Sequence, residues 1–133
     1  MKPDAVGIAE KLARDFLGRV WGPKHELDVI DELMTPDYVI HSGGKEIRGR
    51  DAFKAWVAEF FRNMPDATDE IVDVFANPSG DRVVARWICT GKNGGVFGLP
   101  ADGKPISFHE ISVWKVRDGR LAECWVEREP PRT

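Results

Sequence analysis

Apolar residues in the first half of the chain return every three or four positions, and after residue 66 they return every second one. Val6, Ala9, Leu12, Ala13, Phe16, Leu17 and Val20 form one stripe behind Asp4, a residue suited to cap a helix start, so the spacing predicts an amphipathic helix over residues 4–20. In "HELDVIDELM" Leu27, Ile30 and Leu33 share a face, and Pro36 stops that second, shorter helix. "DYVIHS" has strand propensity, and "GGKEIRGR" supplies turn residues. A third helix opens at Asp51; Phe53, Trp56, Val57, Phe60, Phe61 and Met64 give it a broad aromatic face that ends before Pro65.

Beyond that point the period is two. "DEIVDVFA", "DRVVARWICT", "PISFHEISVWKV" and "RLAECWVERE" read as strands, separated by "NPSGD", "GKNGGVFGLPADGK" and "RDG". Helices first and hairpin-linked strands afterwards predict the α+β class. With no linker, repeat or low-complexity tract, residues 1–133 are expected to form one domain around one core.

Charge narrows the partners. The net charge of −3 comes from 22 acids mixed along the chain with 19 bases, so no basic stripe is available for nucleic acid and no polybasic patch for a membrane. Cys89 and Cys124 lie inside apolar strand patterns without CxxC spacing, and no segment reads as a leader or a membrane span; the expectation is a cytoplasmic protein with two buried, reduced thiols. His25, His41 and His109 lack metal-ligand spacing, and no GxSxG elbow is present, so neither a metal nor another cofactor is expected. The glycines of "GKNGG" and "GLPADGK" link strands and open no helix, which makes them a flexible rim and not a phosphate cradle.

Three strings carry a family likeness: "LMTPDYVIHSGGKEIRGRDAFKAWVAEFFRNMPD", "GDRVVARWICTGKNGGVFGLPADGKPISF" and "ISVWKVRDGRLAECW". Together they resemble the SnoaL-like polyketide cyclase branch of the nuclear-transport-factor-2-like superfamily, over about residues 5–129. The resemblance implies a cone, in which a strongly curved antiparallel sheet wraps over three N-terminal helices and leaves a deep, mainly apolar cavity open at one end. It also implies acids and bases on the last two strands, at positions that look like Glu110, Ser112 and Cys124, and matches His41 to a strand histidine. The superfamily holds cyclases, isomerases, dehydratases, epoxide hydrolases and binding modules, so the fold does not choose the chemistry.

The hairpin decides which side chains face inward. A three-residue loop pairs Val116 with Arg120, which sets Phe108, Glu110, Ser112 and Trp114 on one face with Ala122, Cys124, Val126 and Arg128. A two-residue Asp118-Gly119 turn would put His109 on the face of Cys124 instead. The first arrangement has large aromatics opposite small residues, which leaves volume for a ligand. Glu110 is then the leading catalytic candidate, because a carboxylate on an apolar wall gains a raised pKa and can move protons; the plainer alternative is a rim ion pair with Arg128. His41 and Ser112 are candidates to orient a substrate oxygen.

Around them Tyr38, Trp56, Phe60, Trp87, Phe97, Trp114, Cys124 and Arg128 are expected to contact a flat or cyclic hydrophobic ligand. His109 and Glu127 face each other in the first register, but they share a row with Ile111, Val113, Leu121 and Trp125. That row reads as the outer face of the sheet, through which a homodimer is expected. His25 is expected in solvent. Two functions follow: a cofactor-independent enzyme that transfers protons on a hydrophobic cyclic molecule, or a non-catalytic binding or scaffold module.

Overall fold

The computed structural model describes residues 4–133. Helix α1 (Ala5–Asp15) starts at Asp4, whose carboxylate accepts a hydrogen bond from the Val6 amide at 3.1 Å. Its apolar stripe continues through a wider π turn, Phe16–Trp21, that buries Phe16, Leu17, Val20 and Trp21. Helix α2 is a short segment, Val29–Leu33, and α3 spans Arg50–Asn63 with Phe53, Val57, Phe60 and Phe61 buried. Among the described residues no helix is long and apolar enough to cross a membrane.

Six strands follow or interleave: β1 (Met34–Ser42), β2 (Lys45–Arg48), β3 (Thr68–Ala76), β4 (Arg82–Lys92), β5 (Pro105–Arg117) and β6 (Arg120–Arg128). They form one open sheet in the order β2-β1-β6-β5-β4-β3. The expectation of an antiparallel sheet needs correction at one place, because β1 runs parallel to β6. Two further readings change. Met34 to Pro36 belong to β1 and not to a helix end, and the "GGKEIRGR" stretch contains the edge strand β2 as well as its turn.

The β5–β6 hairpin turns on two residues, not three: Arg117 pairs with Arg120, and both Asp118 (φ 54°) and Gly119 (φ 73°) are left-handed, as a tight type I′ turn requires. A bulge then intervenes, since Val116 pairs with Leu121 but Lys115 with Glu123, leaving Ala122 extra. The added residue restores the parity that the shorter turn would have reversed. Trp114 faces Cys124, Ser112 faces Val126, and Glu110 faces Arg128. The same bulge moves Leu121 out of the expected outer row and into the core, where it is fully buried.

The inner face of the sheet meets the helices through aromatic contacts. Phe16 packs edge-on to Trp114 at 6.0 Å, and Trp21 bridges Phe60 and Trp87 at 5.0 and 5.3 Å. Val83, Ala85, Trp87 and Cys89 alternate inward along β4, all nearly without exposure.

Candidate active site

The inward rows of β5 and β6 meet the helices around a cavity of about 20 Å³, room for about one water molecule. Glu110, Ser112, Trp56, Trp87, Trp114, Cys124 and Arg128 line it, and so do Phe16, Trp21, Ile40, Phe53 and Val126. Glu110 is 6% exposed. Its Oε1 accepts a hydrogen bond from Arg128 Nε at 2.5 Å across the strand pair. Burial pushes the Glu110 carboxyl above its ordinary range, while the charge and hydrogen bond of Arg128 pull the other way without cancelling the rise.

Two residues along the strand, Ser112 accepts the indole N–H of Trp87 at 3.1 Å. That contact occupies a lone pair of the hydroxyl and leaves its own proton to be donated elsewhere. Two buried polar atoms nearby have no hydrogen-bond partner among the described residues, the Tyr38 hydroxyl and Nε1 of the cavity-lining Trp114. Burial lifts the Tyr38 hydroxyl and both thiols, Cys89 and Cys124, well above their ordinary pKa values, so all three are neutral.

The mouth is covered from the β4–β5 loop. Asn93, itself buried, clamps the base of that loop: its side chain accepts the amides of Gly95 and Val96 and donates to the Pro100 carbonyl. Gly94 docks on the end of α3, where a Cβ would stand 2.4 Å from the Asn63 carbonyl oxygen. Phe97, at φ 51°, tips its ring against Trp56, Phe60 and Phe108, and the Arg128 guanidinium carbon lies 4.6 Å from that ring's centroid.

Several expected site residues are placed elsewhere. His41 is on the opposite face of the sheet from Glu110: Ile40 points inward, so its neighbour points out. There His41 Nε2 lies 2.7 Å from Glu123 and Nδ1 3.4 Å from Glu46, with its ring stacked on Trp125. Tyr38 is fully buried against Phe53 and is not among the cavity-lining residues, and Phe60 packs behind Trp56 and Phe97. Glu127 pairs with Ile111 and not with His109. His25 is half-buried, stacked 3.7 Å from Phe61, with Nε2 2.6 Å from the Ala67 carbonyl oxygen. Phe16 and Phe53 read as core from their helical spacing, which carries no mark of a cavity. Trp21 sits one residue past the predicted helix, and the π turn that swings it inward leaves no sequence period.

A mixed open sheet packed over helices, with a buried carboxylate on its inner face, defines an α+β fold of the cone type. The SnoaL-like domain matches residues 13–124, and the chain belongs to that family, within the nuclear-transport-factor-2-like superfamily. Among solved structures it resembles a protein from Jannaschia sp. CCS1 named as a SnoaL-like polyketide cyclase, at 22% identity over 97% of this chain and 90% of that one, with a TM-score of 0.83. A protein from Acidithiobacillus ferrooxidans named as a polyketide cyclase is similar at 25% identity over 92% and 88%, TM-score 0.76. An epoxide hydrolase of the LEH-like kind from M. tuberculosis is similar at 17% identity over 94% and 81%, TM-score 0.74. No curated protein matches the sequence.

Proposed function

We propose that the protein is a small, cofactor-independent enzyme that moves protons on a hydrophobic cyclic molecule, in reactions of the cyclase, isomerase, dehydratase or epoxide-hydrolase kind. The observation that carries this reading is a single carboxylate, Glu110, held dry among indole and phenyl rings with its pKa raised. A carboxyl tuned upward is a competent base near neutrality and a competent acid after it has taken the proton. Ser112, its lone pair engaged by Trp87, supplies an O–H to the substrate oxygen. The cavity as it stands holds about one water, so a ring enters only by displacing Phe97 and Arg128; seated among Trp56, Trp87 and Trp114 it would then present its acidic carbon to Glu110. The buried free thiols Cys89 and Cys124 support a cytoplasmic, reducing setting.

The test is deuterium exchange. A neutral cyclic ketone such as 1-tetralone, incubated with the protein in D₂O, should lose α-protons faster than in buffer, and Glu110→Gln should slow that exchange by about 100-fold or more. The rate should rise with pH through the Glu110 titration, because only the ionised form is the base. An unchanged rate in the variant would sink the assignment. A second reading, a non-catalytic binding or scaffold module, is favoured by the small volume of the cavity with Phe97 and Arg128 in place; it predicts ligand binding with no exchange in either protein.

A further inference from the structure

The cavity lining carries one anion, Glu110, and one cation, Arg128, and the two are held unequally. The Arg128 side chain is 20% exposed and Glu110 only 5%, so a molecule arriving at the mouth meets the guanidinium first. That guanidinium is not saturated. Nε bonds Glu110 at one oxygen, Nη1 reaches Ser42 Oγ at 3.4 Å, and Nη2 makes no hydrogen bond among the described residues. A planar fork bonded to its carboxylate through one nitrogen, with a long contact to Ser42 and no bond at Nη2 among the described residues, can take a second oxyanion in two-point fashion, and the Phe97 ring lies against it.

We infer that Arg128 is the receptor for an anionic oxygen on the ligand, a carboxylate or an enolised dicarbonyl carried by a flat apolar ring, which takes Glu110's place on the guanidinium. The inference rests on the proposed role of Glu110 and adds the class of ligand. Once Arg128 turns to the ligand, Glu110 loses the cation beside it and takes up one proton from solvent at the mouth. The other titratable groups facing it, Cys89 on β4 and Cys124 on β6, are neutral thiols, and α1, its π turn and α3 contribute only Phe16, Trp21, Phe53 and Trp56. The anion therefore enters with one proton, and the carboxyl it leaves behind is protonated. A neutral ketone that enolises in place reaches the same state by handing its α-proton to ionised Glu110, leaving the enolate on Arg128; when the ligand departs, that proton leaves with the reprotonated product or to solvent and Glu110 returns to Arg128 in its ionised form.

Calorimetric titration of the whole chain with benzoate and with benzamide tests this. Benzoate should bind at least about tenfold tighter than benzamide. About one proton should be taken up per benzoate, read from buffers of different ionisation enthalpy, and affinity should fall by up to about tenfold per pH unit as pH rises above the Glu110 titration. Arg128→Gln should bring benzoate down to the benzamide level; Arg128→Lys, which keeps the charge and loses the fork, should fall between the two. Glu110→Gln should keep benzoate binding and abolish the proton uptake. Equal affinities, binding indifferent to Arg128→Lys and Arg128→Gln, absent proton uptake, or no binding of either compound would each overturn the inference. If exchange in D₂O still depends on Glu110 while benzoate and benzamide bind alike, the enzyme reading survives and the anion receptor does not. With an Arg128-dependent benzoate site and no exchange, the anion receptor stands and the enzyme reading falls.

Discussion

Asp69 is a second acid that the fold treats as a liability. It lies on β3 opposite Cys89, burial lifts its carboxyl from 3.8 to about 6, and its Oδ2 has no hydrogen-bond partner. A folded pKa above the unfolded one means that the protonated form is favoured by folding. Its stabilising contribution is therefore complete below about pH 4 and lost as pH rises through 6. Asp69→Asn cannot ionise, so the variant should gain on the wild type across that window, by about 1 kcal/mol at pH 7 once solvent screening of a half-exposed group is allowed for. Urea denaturation at pH 4 and pH 7 reads this directly; a stability difference that stays constant between the two would count against it. Glu110 shifts in the same direction and leaves a residual slope in the variant. Ser112→Ala acts by another route. It removes the partner of the buried Trp87 indole N–H and should cost about 1–3 kcal/mol, a loss that Trp87→Phe in the same chain should largely remove.

At the scale of elements, the β5–β6 hairpin carries the site, and its turn is a sharp point of failure. Gly119 sits at φ 73° with open space around its would-be Cβ, so Gly119→Ala should cost about 1 kcal/mol through backbone strain alone, measurable by chemical denaturation; an unaffected midpoint would refute the turn geometry. The same hairpin shows what sequence can and cannot disclose. Alternation along "SFHEISVW" and "LAECWVER" reveals two inward rows, but the pairing depends on turn length and bulges together. A two-residue turn plus the extra Ala122 gives the same parity as the expected three-residue loop, although each partner is shifted by two: Glu110 opposes Arg128 instead of Val126. The helices are legible because their apolar stripes are long. Strand β2 is not, since it is a four-residue edge with only Ile47 partly covered, and the parallel β1–β6 pairing joins strands too distant for any local signal. His41 is instructive in the opposite sense. Tyr38 and Ile40 alternate inward within "DYVIHS", and that parity already turns His41 outward; only the family likeness draws it toward the cavity.

For the whole molecule the open question is what covers the outer face of the sheet, where Ile111 (45% exposed), Trp125 (38%) and Val72 (45%) stand. A second copy of the chain is the proposed occupant. Val72 and Ile111 border an open groove that also holds Arg86, Arg132, Glu127 and Glu129, and Trp125 lines a second one that shares Glu127, so a two-fold axis can set bases against acids while apolar residues meet at the centre. With Leu121 withdrawn into the core, Ile111 and Trp125 carry most of the apolar contact that remains in the expected row, and a charge placed there should be decisive. Light scattering at micromolar concentration should give the mass of a dimer for the natural sequence and a monomer for Ile111→Glu, with unchanged secondary structure. Benzoate binding should be the same in both, because the cavity opens on the other side of the sheet from Ile111. A monomeric wild-type protein would remove the dimer and leave the pocket argument intact; a monomeric variant that also loses the ligand would show that the sheet's curvature, and with it the pocket, depends on the partner.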